Sequence, residues 1–196
     1  MWDQRYASDE FVYGTRPNLF LAEHAHLLTG PVLSLAEGEG RNAVYLASLG
    51  LDVLGVDASA VGLSKAHKLA EAQGVRIRTQ VADLTRYQPQ AKSFGSCISI
   101  FAHLPSQARR HLHRQIVAAL RPNGIFLLEG YSQAQLSRHT GGPKDPDMLL
   151  DAGELAGELP DCELLLCREV EREVIEGSLH TGMASVVQLI ARKTCL

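Results

Sequence analysis

Short apolar runs alternate along the chain with longer stretches in which apolar residues recur every three or four positions. Val32–Ala36, entered through Pro31, has the apolar density of a strand covered on both faces. Asn42–Leu49 takes helical spacing and stops at Gly50, a residue suited to a left-handed C-terminal cap. Leu51–Val56 predicts a second strand. Ser59 is placed to N-cap a helix that carries Leu63, Ala66, Leu69 and Ala70 at helical spacing and ends at Gly74. Val75–Val81, Ser96–Phe101 and Ile125–Glu129 predict three more strands. Between them Ser106–Leu120 predicts a helix with Leu112, Ile116, Ala119 and Leu120 on one side, followed by a turn at "RPNG".

This alternation with short links predicts a parallel sheet with helices on both faces. The last third changes character. Tyr131–Pro146 is rich in glycine, proline and polar residues and predicts a mobile loop, and Asp151–Leu159 a short helix. Cys162–Val174 and Met183–Lys193 are β-rich and read most simply as an antiparallel hairpin.

Composition narrows the function classes. At 196 residues the chain suits one domain with a full core. Its formal net charge of -3 gives no reason to expect nucleic acid or an anionic membrane as partner. No apolar stretch approaches the roughly 20 residues of a membrane span, and Met1–Glu10 lacks the apolar segment of a signal peptide. A cytoplasmic location is the expectation. The four cysteines (Cys97, Cys162, Cys167, Cys195) have no metal-ligating spacing and are expected as reduced thiols, and no metal is expected.

Ligands of an open parallel sheet sit beyond the carboxyl ends of its strands. After the first strand, Gly38 and Gly40 allow close approach of the backbone, and the next helix presents free N–H groups. Asp57 ends the second strand, where an acid can accept both hydroxyls of a ribose. Asp83 follows the third, placed to accept from an adenine amino group. An adenosine-containing ligand follows from these three strand ends. "GEGRNA" formally matches the dinucleotide pattern G-x-G-x-x-[GA]. Glu37 and Glu39, however, would repel a pyrophosphate in a partly desolvated loop. S-adenosylmethionine carries no phosphate but two cationic centres, so the charge inventory favours it. An NAD(P)-dependent oxidoreductase and a non-catalytic S-adenosylmethionine-binding sensor are the alternatives.

The motifs together resemble those of class I S-adenosylmethionine-dependent methyltransferases over nearly the whole chain. "VLSLAEGEGRNAVYLA" resembles the superfamily's first motif, "VDASAVGLSKA" its second and "VADL" its third. "SCISIFAHL" sits where its fourth strand and pocket-lining loop fall, and "LRPNGIFLLEG" resembles its turn into the fifth strand. Within the superfamily, "GEGRNAVYLA" and "EGSLHTGMASVVQLIARK" are most similar to the tellurite-resistance-type enzymes, with the thiopurine-type enzymes a looser match.

The resemblance implies a Rossmann-like three-layer α/β/α sandwich, with a mostly parallel seven-stranded sheet and a C-terminal antiparallel hairpin. It divides a single methyltransferase domain (1–196) into an N-terminal lid or helix segment (1–30), a donor-binding core (31–130), a loop and helix (131–160) and the hairpin (161–196). It implies S-adenosyl-L-methionine held by Ala36, Glu37, Gly38, Glu39, Gly40, Asn42, Asp57, Ala58, Ala82, Asp83, Leu84 and Phe101. The acceptor is expected to be a small molecule, a soft sulfur, selenium or tellurium nucleophile methylated in line from the sulfonium.

His103, after the fourth strand, and His180, in a Gly-x-Leu-His stretch, are the catalytic candidates. Tyr13 is the lid candidate in "FVYGTRPNLFL"; Arg41, opening the first helix, and Tyr131, leaving the fifth strand with Glu129, are expected on the substrate side. The other histidines (His24, His26, His67, His111, His113) are expected on solvated helix faces, and His139 in the loop. Two positions depart from the superfamily pattern: Ser34 stands where an acid is usual and Ala36 where a glycine is. Glu37, three residues on from Ser34, is the expected replacement for the acid.

Overall fold

The computed structural model describes residues 2–138, 140–177 and 180–194. β1 (Val32–Leu35) is buried at every position, because both of its faces are covered. β2 (Val53–Asp57) and β3 (Arg78–Val81) lie to one side of it. β4 (Phe94–Ile100) and β5 (Leu120–Tyr131) lie to the other, followed by β6 (Cys162–Glu176) and β7 (His180–Lys193). The order is β3-β2-β1-β4-β5-β7-β6, with β1 to β5 parallel and β7 antiparallel to both of its neighbours. This is the seven-stranded, mostly parallel sheet with a terminal hairpin that the motifs imply.

Among the described residues there are six α-helices: α1 (Trp2–Arg5), which packs on α4, and α2 (Leu19–His24), α3 (Arg41–Ser48), α4 (Ala60–Ala72), α5 (Ser106–Ala119) and α6 (Ala152–Glu158) around the sheet. Alternate strand residues feed two cores, as the two-residue period of a strand requires. Val32, Ile98 and Leu127 pack with Phe20 of α2, Val44 of α3 and Leu69 of α4. Leu33, Leu35 and Phe126 pack with Leu112 and Ile116 of α5 and Leu155 of α6. Three layers result.

Local differences from the predicted elements have local causes. Val75 donates its N–H to Ala70 O at 2.9 Å and so closes α4, which delays β3 to Arg78. "RPNG" is spliced into β5: Phe94 pairs with Leu120 and Ser96 with Ile125, so residues 121–124 stand against Gly95 alone, with Asn123 at φ +63°. Tyr131–Pro146, expected as a loose loop, contains a 3-10 turn (Gln133–Ser137). The Gln135 amide donates to Thr140 Oγ1 and Gly141 O and accepts from the Ser185 N–H, each at 3.0 Å. The hairpin strands run further than predicted and pair Glu176 with His180 at their tip. His113 is buried rather than solvated, because Glu158, paired with Arg109, draws its Nδ1 to 2.6 Å. No helix of the described residues is long and apolar enough to cross a membrane.

Candidate active site

The chain leaves β1 towards β2 and later returns to lay β4 against β1's other edge. A crevice opens at the carboxyl ends of this pair, the switch point of the sheet. Both strands end there on a left-handed, non-glycine residue: Ala36 at φ +49° and Phe101 at φ +51°. Such strain is retained where the surrounding structure over-determines it, and it clusters at functional sites. A cavity of about 610 Å³ lies between these ends and the first fourteen residues, a size typical of small-molecule sites.

The glycine loop is shaped by what crosses it. Gly40, at φ +95°, lets α3 start against α4, since a Cβ there would meet Ala66 Cα at 2.6 Å. Gly38, at φ +59°, lies beneath the Tyr6 hydroxyl, 2.7 Å from where its Cβ would stand. Ala36 has no such freedom. Ala36→Gly is expected to raise the melting temperature by a few degrees, since relief of a strain of about 1–2 kcal/mol outweighs the added backbone entropy; a thermal scan checks this.

Ser34 and Glu37 are joined beneath the loop. The Ser34 hydroxyl donates to Glu37, whose other oxygen accepts the Ala43 N–H at 2.9 Å. A carboxylate is therefore supplied beneath the loop from position 37, and it caps the first turn of α3. Burial pushes the Glu37 carboxyl up to about 7, against the opposing effect of those hydrogen bonds. The folded state then binds this proton more tightly than the unfolded chain does, so stability falls as pH rises from about 4.5 to about 7. Glu37→Gln is expected to flatten that part of the melting-temperature profile and to melt several degrees above the parent at pH 8. Thermal scans from pH 5 to 8 test it.

Asp57 braces the same loop from β2. Its carboxylate accepts from the Gly38 N–H and the Ser59 N–H, each at 2.8 Å, and burial raises its pKa. Ser59 caps α4 by accepting from the Gly62 N–H at 3.0 Å, and donates its own hydroxyl to Asp3 at 2.5 Å. Glu39 lines the cavity, pairs with Lys65 and accepts from the Tyr13 N–H at 3.4 Å. Lys65 Nζ also donates to Ser8 O at 2.9 Å and Glu10 O at 2.6 Å. Asp3 and Lys65 thus tie the N-terminal segment across the donor loop, with Trp2, Arg5 and Tyr13 on the cavity wall. Lys65 was legible only as a cation among the apolar positions of α4, beside Leu63 and Ala66.

Around the rim, Ala58, Asp83 and Leu84 line the cavity. Asp83 is exposed and accepts from the Thr85 hydroxyl and N–H, which hold its carboxyl below the usual range. Ala82 stands behind this wall and donates its N–H to Asp57 O. Asn42 lines the cavity while its Oδ1 accepts the Asn18 N–H at 3.0 Å. His103 also lines it, but both ring nitrogens serve the fold: Nδ1 donates to Met148 O at 3.0 Å and Nε2 accepts the Tyr131 N–H at 3.4 Å. Burial depresses its pKa to about 4, leaving it neutral. Tyr131, expected on the substrate side, is fully buried, its ring stacked on His103 with centroids 5.5 Å apart and tilted against Phe101 at 4.7 Å. The side chain of His180, and all of His139, lie outside the described residues.

Behind the cavity runs a buried polar network that sequence reading missed. Glu129 accepts from Asn18 and Gln188, each at 2.7 Å, and from Arg172, the last pair bidentate through Nε and Nη2. Glu176 accepts from Asn18 at 2.8 Å and from Arg41 at 2.6 Å. The signal was Glu129 itself, a carboxylate inside an otherwise apolar strand, which requires buried partners.

The sheet order and the crevice at its switch point make up a Rossmann-like fold with a cavity at the carboxyl ends of the parallel strands. Residues 32–124 match the family described as "Methyltransferase domain". The chain is 27% identical over 117 residues to the 2-heptyl-1-hydroxyquinolin-4(1H)-one methyltransferase of Mycobacteroides abscessus, a match covering 58% of this chain and 52% of that one. It thus spans about half the length of that curated relative. Two solved structures share the fold. One, from work on the conversion of a disulfide bond into a thioacetal group during echinomycin biosynthesis, has a TM-score of 0.80 at 21% identity, covering 98% of this chain and 90% of the other. TehB from Haemophilus influenzae has a TM-score of 0.73 at 18% identity, covering 98% of this chain and 66% of its own. The residues present fit S-adenosylmethionine: a glycine loop that lets a ligand approach the backbone, braced by Asp57, an acid at the end of β2, with Asp83 on the rim.

Proposed function

We propose that the chain methylates a small molecule whose nucleophile is soft or already ionised when it binds, with sulfur, selenium and tellurium as the first acceptors to try. The observation that carries this is His103, an imidazole on the cavity wall that is neutral and committed at both nitrogens, and so is no general base. S-adenosylmethionine supplies an activated methyl group on a sulfonium when bound. The protein's task is then alignment and exclusion of water, which in favourable cases is worth about 7–11 kcal/mol. The glycine loop and Asp57 fix the adenosine end, Phe101 and His103 shape the methyl-transfer end, and Trp2, Arg5 and Tyr13 close the front. An N-hydroxy group and a disulfide are the chemistries in the names of two similar proteins, and both concern acidic or soft centres.

Calorimetric titration with S-adenosylhomocysteine, S-adenosylmethionine and NADH tests the donor. Binding of both sulfur ligands is the expected result, and binding of NADH alone would remove the reading. Methylation assays across thiol, selenite, tellurite and phenol panels test the acceptor. Donor binding with turnover of none of them would favour a sensor.

A further inference from the structure

Arg41 opens α3 one step beyond the glycine loop, on the cavity wall, with its side chain about nine-tenths buried. Nη2 donates to Glu176 at 2.6 Å, whereas Nη1, shielded from water, has no hydrogen-bond partner among the described residues. A guanidinium never loses its charge in a protein, so two N–H donors stay unmet there at every working pH. Buried donors left unmet are costly, and each one in a folded protein calls for an explanation.

The neighbouring arginine sharpens the contrast. Arg172 spends Nε and Nη2 on Glu129 and Glu176, and Nη1 on Glu173 O. Two guanidiniums and two carboxylates balance in this cluster, so charge is already matched; what Arg41 lacks is an acceptor atom. The start of α3 adds the positive end of a helix dipole beside it. A negatively charged oxygen meets both requirements, and a guanidinium takes such oxygens in a fixed fork geometry.

We infer that Arg41 Nη1 recognises a carboxylate, or an equivalent oxyanion, on a molecule bound in the cavity. This rests on reading that cavity as the methyl-donor site. Two sources offer the chemistry: the amino-acid end of the donor, and an anionic group on the acceptor.

R41Q and R41K separate them, the lysine keeping a cation opposite Glu176 while removing the second fork nitrogen. Binding to the folded proteins is measured by calorimetry with S-adenosylhomocysteine, with 5′-methylthioadenosine, which lacks the amino-acid portion, and with benzoate against neutral benzamide on protein saturated with S-adenosylhomocysteine. If the donor is the source, both variants weaken S-adenosylhomocysteine at least tenfold and leave 5′-methylthioadenosine unchanged. If the acceptor is the source, S-adenosylhomocysteine is unaffected, and a wild-type preference for benzoate over benzamide disappears in both variants. Equal weakening of both nucleosides, or wild-type behaviour towards every probe, would overturn the inference. Failure of the wild type to bind either nucleoside would instead remove the donor-site reading beneath it.

Discussion

Asp57→Ala is expected to weaken S-adenosylhomocysteine binding at least 100-fold, about 2.7 kcal/mol, with a smaller loss for Asp57→Asn. The carboxylate holds the Gly38 and Ser59 N–H groups, each at 2.8 Å. Hydrogen bonds to a charged group are worth about 1.5–3 kcal/mol each. Truncation therefore releases the glycine loop and the start of α4 together, besides removing the acceptor proposed for a ribose. Asparagine keeps one side-chain oxygen for one of these N–H groups and leaves the other facing an amide nitrogen. Calorimetry gives the affinities, and a thermal scan without ligand confirms that each variant is folded. An affinity within twofold of the parent would dismiss Asp57 from the donor site.

Glu129→Ala is expected to be the most destabilising of these changes, costing about 3–5 kcal/mol and lowering the melting temperature by roughly 10 °C. Its side chain is fully buried and serves Asn18, Arg172 and Gln188. Removal leaves the Arg172 guanidinium only Glu176 and a backbone carbonyl, and takes from the Gln188 amide its Glu129 acceptor. The Asn18 amide also bonds Glu176, and its Oδ1 caps α2 through the Leu21 N–H at 2.9 Å, so the damage extends to the N-terminal helix. Chemical denaturation measures the loss. A change below 1 kcal/mol would show that the network is not cooperative.

The parallel core was legible because burial on both faces leaves short, mostly apolar runs such as 32–36 and 96–101, broken only by serines, and because Gly50, Ser59 and Gly74 punctuate the helices between them. The glycine loop and Asp57 were legible for a related reason: backbone conformation and strand-end position constrain residue type locally. What escaped was long-range pairing. Nothing near Glu39 in the sequence announces Lys65 as its partner, and nothing near Arg41 announces Glu176. The reading that Glu37 and Glu39 would repel a pyrophosphate was made from the loop alone. In the folded protein one is tied to a serine and a helix N–H, and the other to a lysine on α4. His113 failed for the same reason, its partner Glu158 lying on a helix far along the chain.

The long hairpin carries one more consequence. At the tip of β6, Gly177 packs so closely on the N-terminal segment that a Cβ would fall 2.1 Å from Val12 O, and the adjacent Glu176 reaches Arg41 and Asn18. Segments more than 150 residues apart in the sequence therefore meet over one cavity. On a ribosome, the strands that hold the glycine loop emerge before the carboxylate that anchors its arginine, so the Arg41–Glu176 pair closes only after β6 has been made. Nascent chains stalled before β6 should carry the nucleotide-fold motifs complete and still be unable to capture a ligand.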